Sequence, residues 1–201
     1  GQSEGNTVHL RQSVFPGTGL TEKGEWQSRG AAKELAEIHL NEPFDFILCS
    51  PLLRTKKTAE IIAEKLNLPV TEEKLLTEVN FGVYEGKRDY EVQDEINRRN
   101  SLDYETKYHE KLGKTGESHA EVEKRAVEFV KKMLQEHKGK SLVVVTHSDT
   151  IRWILRDIFG ESLKAVYERG HFPSCVPKTV YLDIQTGKLA DLHKHFTDCM
   201  S

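Results

Sequence analysis

Two stretches of this chain share one construction. FDFILCS (Phe44–Ser50) and SLVVVT (Ser141–Thr146) are short apolar runs suited to buried strands, and each leads at once into residues that start a helix. Parallel neighbouring strands need a crossover between them, and a helix is the usual one. Strands that alternate with helices therefore point to an α/β fold with a mostly parallel sheet.

The other elements fit around these two. Thr21 is suited to cap a helix running to about His39, with Trp26, Ala31, Leu35 and Ile38 as its apolar face. Ser50-Pro51 pairs an N-cap with a proline at the first helical position, and the helix it predicts runs to about Leu66. Leu68-Pro69-Val70 begins an extended piece reaching Leu76. Residues 81–116 are polar and evenly balanced in charge, and read as a solvated insert or lid. Ser118-His119-Ala120-Glu121 is a capping box that opens an amphipathic helix carrying Val122, Ala126, Phe129, Val130 and Met133, stopping by Gly139. Another helix spans about Asp149–Phe159, with Trp153 in the core. VPKTVYLDI, the turn Gln185-Thr186-Gly187 and KLADLHK predict a C-terminal hairpin. With 201 residues, no repeat and no low-complexity linker, residues 1–201 read as a single domain.

Composition narrows the function classes. A net charge of −3 on a chain with 30% charged residues lacks the basic footprint of a nucleic-acid binder. No apolar run approaches the roughly 20 residues that span a bilayer, so no membrane partner is expected. Cys49, Cys175 and Cys199 form neither a CxxC pair nor a disulfide framework, which favours a reducing, cytoplasmic setting.

Chemistry concentrates at the two strand ends. Arg54 falls in the first turn of the helix after FDFILCS, and His147 comes directly after SLVVVT. In open α/β sheets ligands sit beyond the carboxyl ends of the strands, where helix N-termini favour anions. An arginine fork and an imidazolium there make an anion pocket. Taken singly, Arg54 reads equally well as a surface arginine, and His147 as a capping or buried histidine. GTGLTEKG satisfies neither the dinucleotide fingerprint nor the P-loop. His193 and His195 lack the carboxylate or cysteine partners of a metal site, so neither metal nor cofactor is expected.

Taken together, the motifs resemble the histidine phosphatase superfamily, the phosphoglycerate-mutase-like group. That family carries Arg-His-Gly and then Ser/Thr-x-x-Asn, and Gly1-Gln2-Ser3-Glu4-Gly5-Asn6 matches the motif from its glycine onward. Gln12 falls at a pocket glutamine, with the arginine usually before it displaced to Arg11. GLTEKG (Gly19–Gly24), SPLLRTKKTAE (Ser50–Glu60), LTEVNFGVYEG (Leu76–Gly86), GES (Gly116–Ser118) and VVVTHS (Val143–Ser148) come in family order across nearly the whole chain.

The resemblance implies a three-layer sandwich and, immediately before Gly1, a central hydrophobic strand ending in Arg-His. It makes that histidine the nucleophile, so the natural protein is expected to extend upstream of Gly1. It implies that Gly1, Asn6, Gln12, Arg54, His147 and Ser148 bind phosphate, and that Glu78 and His147 are catalytic. The nucleophile attacks phosphorus in line to give a phosphohistidine. Glu78 protonates the leaving oxygen and then acts as base toward water, without a metal. The implied partner is a small phosphorylated substrate. Gly5 before Asn6, and Phe81-Gly82-Val83-Tyr84-Glu85-Gly86 beside Glu78, favour the phosphatase branch over a cofactor-dependent phosphoglycerate mutase. A non-catalytic phosphate-binding module is the third reading. His147-Ser148-Asp149 departs from the His-Gly-Gly common in the family, and Arg88, Arg98, Arg99 and Lys107 in the lid are candidates to grip a second acidic group.

Overall fold

A computed structural model of the chain describes residues 1–170 and 172–176. Three parallel strands form the sheet: β1 (Phe46–Cys49), β2 (Val70–Glu72) and β3 (Leu142–Val145), in the order β2-β1-β3. Ile47 pairs with Val70 on one side and with Val143 on the other.

Side chains alternate across a strand, so each strand serves two cores. Ile47, Cys49 and Val143 point to the face covered by α2 (Glu22–Asn41) and α3 (Leu53–Leu66), where they pack with Ala32, Leu35, Ala59 and Ile62. Leu48, Leu142 and Val144 face the opposite way. There they meet Phe129, Val130 and Met133 of α6 (His119–Glu136) and Ile154 and Ile158 of α7 (Ser148–Phe159). Helix, sheet and helix make the three layers.

A third apolar cluster joins this body to the polar segment. Val79, Leu112, Val122, Ala126, Trp153 and Val166 are buried together, with Tyr108 and Tyr167 packed against them. Residues 81–116 are not uniformly solvated. They form two short 3-10 turns and the helices α4 (Gln93–Asn100) and α5 (Tyr104–His109), with Val92, Arg99 and Leu112 buried. α5 packs on α8 (Leu163–Arg169). The remaining helix is the single turn α1 (Glu4–Thr7).

Capping places the ends. Ser118 and Glu121 close their box reciprocally, with Glu121 N–H donating to Ser118 Oγ at 3.2 Å and Ser118 N–H to Glu121 Oε2 at 2.8 Å. Thr21 Oγ1 accepts from Gly24 N–H at 3.0 Å. Gly24 is also where residues 1–2 cross the first turn of α2, and a Cβ on Gly24 would run into the Gln2 backbone.

Two expectations are corrected. α3 starts at Leu53 with Leu52 as its N-cap and no side-chain cap, so Ser50-Pro51 precede the helix. The Ser50 hydroxyl is taken instead by His147. Trp26 is 73% exposed and stands off the core, because the inward stripe of α2 runs through Ser28, Ala31, Ala32 and Leu35. Trp153 is fully buried as expected. The predicted hairpin, His193, His195 and Cys199 lie outside the described residues.

These placements separate two large apolar side chains by their energetic weight. Ile47→Ala empties the centre of the sheet and is expected to cost about 2–5 kcal/mol. Trp26→Ala should change stability by no more than about 0.5 kcal/mol, as expected of an exposed site. Urea midpoints for the two variants check the contrast.

Candidate active site

Arg54 and His147 sit where a strand hands over to a helix. β3 ends at Val145, and His147 is the N-cap residue of α7 in extended conformation. Its imidazole is buried and its Nε2 lies 2.8 Å from Ser50 Oγ, at the matching end of β1. Two threonine hydroxyls flank it. Thr146 Oγ1 donates to Leu76 O and Thr150 Oγ1 donates to Thr77 O, each at 2.6 Å. The chain is thereby held just before Glu78.

Arg54 enters from the first turn of α3. Its Nη2 donates to Gln12 O at 2.9 Å, while the buried Nη1 has no hydrogen-bond partner among the described residues. Gly17, at φ +69°, lets the N-terminal loop pass over this guanidinium, since a Cβ there would lie 3.1 Å from Nη1. An arginine fork held on one nitrogen with the other unpaired is suited to receive an anion oxygen.

These groups share one cavity of about 720 Å³. Gly1, Asn6, Arg54, Glu78, His147 and Ser148 line its polar end. Its length runs along β3 from Leu142 to Val145, between Ala31, Leu35 and Ile38 of α2 and Ile151, Ile154 and Ile158 of α7. Among the described residues β3 pairs only with β1, so its other edge faces this space.

Gln12 and Asn6 are committed differently. Gln12 reaches the site through its backbone carbonyl, and its side-chain Oε1 accepts from Thr18 N–H at 2.8 Å. Asn6 Oδ1 accepts from Ser3 N–H at 2.9 Å, closing a capping box on α1. Arg11 pairs with Asp89 at 2.9 Å, away from the cavity lining. In the segment 81–116, Arg98 and Arg99 are taken up by Glu110, at 2.7 and 2.8 Å. Lys107 lies 5.2 Å from the Tyr167 ring centroid, and Arg88 N–H donates to Glu91.

The electrostatics differ from the expected imidazolium. Burial, then the positive charges of Arg54 and Arg125, hold His147 well below the usual histidine range, so the imidazole is neutral. Burial also lowers Arg54, opposed by Glu78 and Glu85, though an arginine remains charged. Glu78 keeps some of its surface open to the cavity yet is crowded by protein, and burial, with the nearby Asp149 second, pushes it up to about 8. Its Oε1 accepts the Val79 N–H at 3.0 Å, and Arg54 and Arg125 partly offset the rise.

Several supporting residues are not evident from the sequence. The Glu85 carboxylate accepts Ser13 N–H at 2.8 Å, Ser13 Oγ–H at 2.6 Å and Val14 N–H at 3.1 Å, fastening the N-terminal loop to the segment after Glu78. Phe81-Gly82-Val83-Tyr84-Glu85-Gly86 is the signal that points to it. Arg125 holds Glu117 by two bonds, at 2.9 and 3.2 Å, and Glu117 in turn accepts from Asn80 N–H at 2.9 Å. No motif marks Arg125. Among the described residues no group of three or more His, Cys, Asp and Glu is placed to hold a metal ion, and no helix is long and apolar enough to cross a membrane.

The family model for the histidine phosphatase superfamily (branch 1) matches residues 1–189. The chain belongs to that superfamily. It is 31% identical over 169 residues to phosphoserine phosphatase 1 of Hydrogenobacter thermophilus, covering 84% of this chain and 77% of that protein. It is 26% identical over 155 residues to the adenosylcobalamin/alpha-ribazole phosphatase of Salmonella typhimurium, covering 77% and 74% of the two chains. Among solved structures, Bacillus stearothermophilus YhfR superposes with a TM-score of 0.78 at 21% identity over 94% of this chain and 90% of that one, a likeness of fold. As a member of this superfamily, the chain is an enzyme of the histidine phosphatase type.

Glu78 also leaves a mark on stability. Its folded pKa of about 8 lies above the ordinary 4.5, so its contribution is fully present below pH 4.5 and is lost as pH rises through 8. The melting temperature of Glu78→Gln relative to the unaltered protein should therefore climb from pH 5 to about 8 and level off above it. Melting curves across that range test this, and a constant offset would contradict it.

Proposed function

We propose that this protein is a metal-independent phosphomonoester hydrolase acting through a phosphohistidine on a small phosphorylated metabolite. The observation that carries the reading is the convergence of Arg54, His147 and a protonated Glu78 on the polar end of one cavity. The relatives' names, phosphoserine and alpha-ribazole phosphatase, support small phosphomonoesters as the substrate class. Free Cys49 and Cys175 are in keeping with a reducing, cytoplasmic setting.

The apolar strand implied before Gly1 lies, in this reading, along the edge of β3 in the cavity, parallel to it. Its histidine then arrives beside Gly1, at the polar end. The apolar lining from α2 and α7 and the open edge of β3 support that placement.

The chemistry divides into two displacements. In the first, the nucleophilic nitrogen bonds to phosphorus as the ester P–O bond breaks, and Glu78 gives its proton to the leaving oxygen. In the second, water bonds to phosphorus, the N–P bond breaks, and Glu78 takes the water's proton. Arg54 Nη1 and His147 donate to the equatorial oxygens, where charge has to be held in both steps. The bound dianion favours a proton on His147 and keeps one on Glu78. Gly1 and Asn6 border the same oxygens, Ser148 lies at the α7 N-terminus, and Gln12 acts by aiming Arg54. The segment 81–116 serves as the lid over this end.

Hydrolysis of p-nitrophenyl phosphate by the full-length protein in excess EDTA tests the reading. Activity is expected to survive the chelator. Arg54→Ala should lower kcat/KM by about 10²–10³-fold, the scale of one lost charge-stabilising donor. Equal activity in that variant, or loss of activity on chelation, would contradict the proposal.

A further inference from the structure

We propose that Asp149 is a positioning residue for the acid/base glutamate, a fixed carboxylate that keeps the proton on Glu78, with Arg152 setting its strength. The inference rests on the reading of Glu78 as the acid. Asp149 is the second residue after His147.

Hydrogen bonds fix the backbones that carry the two carboxyl groups against one another. Asp149 is the second residue of α7, and the hydroxyls of Thr146 and Thr150 on either side of it clamp Leu76 and Thr77, directly before Glu78, at 2.6 Å. Asp149 cannot swing away from this corner. Its Oδ1 lies 2.9 Å from Arg152 Nη1, and the Arg152 Nη2 donates to Val166 O at 3.2 Å, tying the pair to α8. The two side chains are only 14% and 6% exposed, so solvent screens them little.

The charged groups around Glu78 come from three helices. Asp149 on α7 repels its negative form; Arg54 on α3 and Arg125 on α6 attract it. Arg125 is already held by Glu117, and Glu85 acts on Arg54. His147 beside them is neutral, and so is His119, which burial lowers to about 4 and whose Nδ1 lies 2.7 Å from Tyr167 Oη. Among the described residues, Asp149 is therefore the leading negative charge acting on Glu78, second only to burial in favouring its protonated form. Two carboxyls near one another with little solvent between them resist carrying two charges. That keeps Glu78 ready to donate in the first displacement and strengthens it as the base in the second.

The test is the pH profile of kcat/KM for phenyl phosphate, a poor leaving group that needs the acid, using the full-length protein. Asp149→Asn is expected to move the basic limb down by about one pH unit, with activity near pH 6 kept within a few-fold. Arg152→Gln removes the opposing cation and should move the limb up. Opposite shifts cannot come from a common loss of folding. An unmoved limb in Asp149→Asn overturns the proposal. Should that variant fail to fold, Arg152→Gln decides alone, and an unmoved or lowered limb overturns it. Glu78→Gln separates the two claims. If it keeps the basic limb, Glu78 is not the acid and both readings fall. If it abolishes the limb while Asp149→Asn leaves it in place, only the role of Asp149 falls.

Discussion

The site depends on two short hydrogen bonds from threonines to a neighbouring backbone. Thr146 and Thr150 bracket His147 and donate to the carbonyls of Leu76 and Thr77. Without them the segment carrying Glu78 has no ladder to hold it, since β2 ends at Glu72 and only a 3-10 turn intervenes. With them, a residue from an irregular segment is fixed against a strand end. Both acceptors are backbone carbonyls, so the clamp sets a main-chain position and leaves the Glu78 side chain to its environment.

That environment leaves a cation without a matching anion. A neutral His147, an Arg54 with one unpaired nitrogen and a proton-bearing Glu78 leave a site in which positive charge is incompletely answered. In the proposed reaction a phosphate dianion completes it. The desolvation that holds His147 neutral also makes each donor count for more once an anion enters. Braces at one remove keep the geometry: Gln12 O for Arg54, Ser50 Oγ for His147, and Glu117 with Arg125 beside Glu78. Glu85 joins the N-terminal loop to the residues after Glu78.

Much of this is legible in the sequence because the signals are local. Short apolar runs mark β1 and β3, and Ser118 with Glu121 marks the start of α6. The order of motifs points to the family. The features that are not legible depend on distant partners. Ser50 reads as a helix cap until His147, 97 residues away, takes its hydroxyl. Trp26 fits an apolar stripe by spacing, yet the stripe that meets the sheet is made of small residues that let α2 approach. Arg125 looks like any helix arginine, and only the fold brings Leu75 O and Glu117 to it. The charge state of His147 is hidden for the same reason, since burial and two arginines from other elements decide it.

The central claim is that Glu78 gives a proton to the departing oxygen. The most direct measurement is the dependence of kcat/KM on leaving-group pKa, for a series of aryl and alkyl phosphates, in the full-length protein and in Glu78→Gln. The account predicts a shallow dependence for the unaltered enzyme and a steep one for the variant, with alkyl esters losing far more than p-nitrophenyl phosphate. Parallel lines for the two proteins would contradict it and assign Glu78 a structural role.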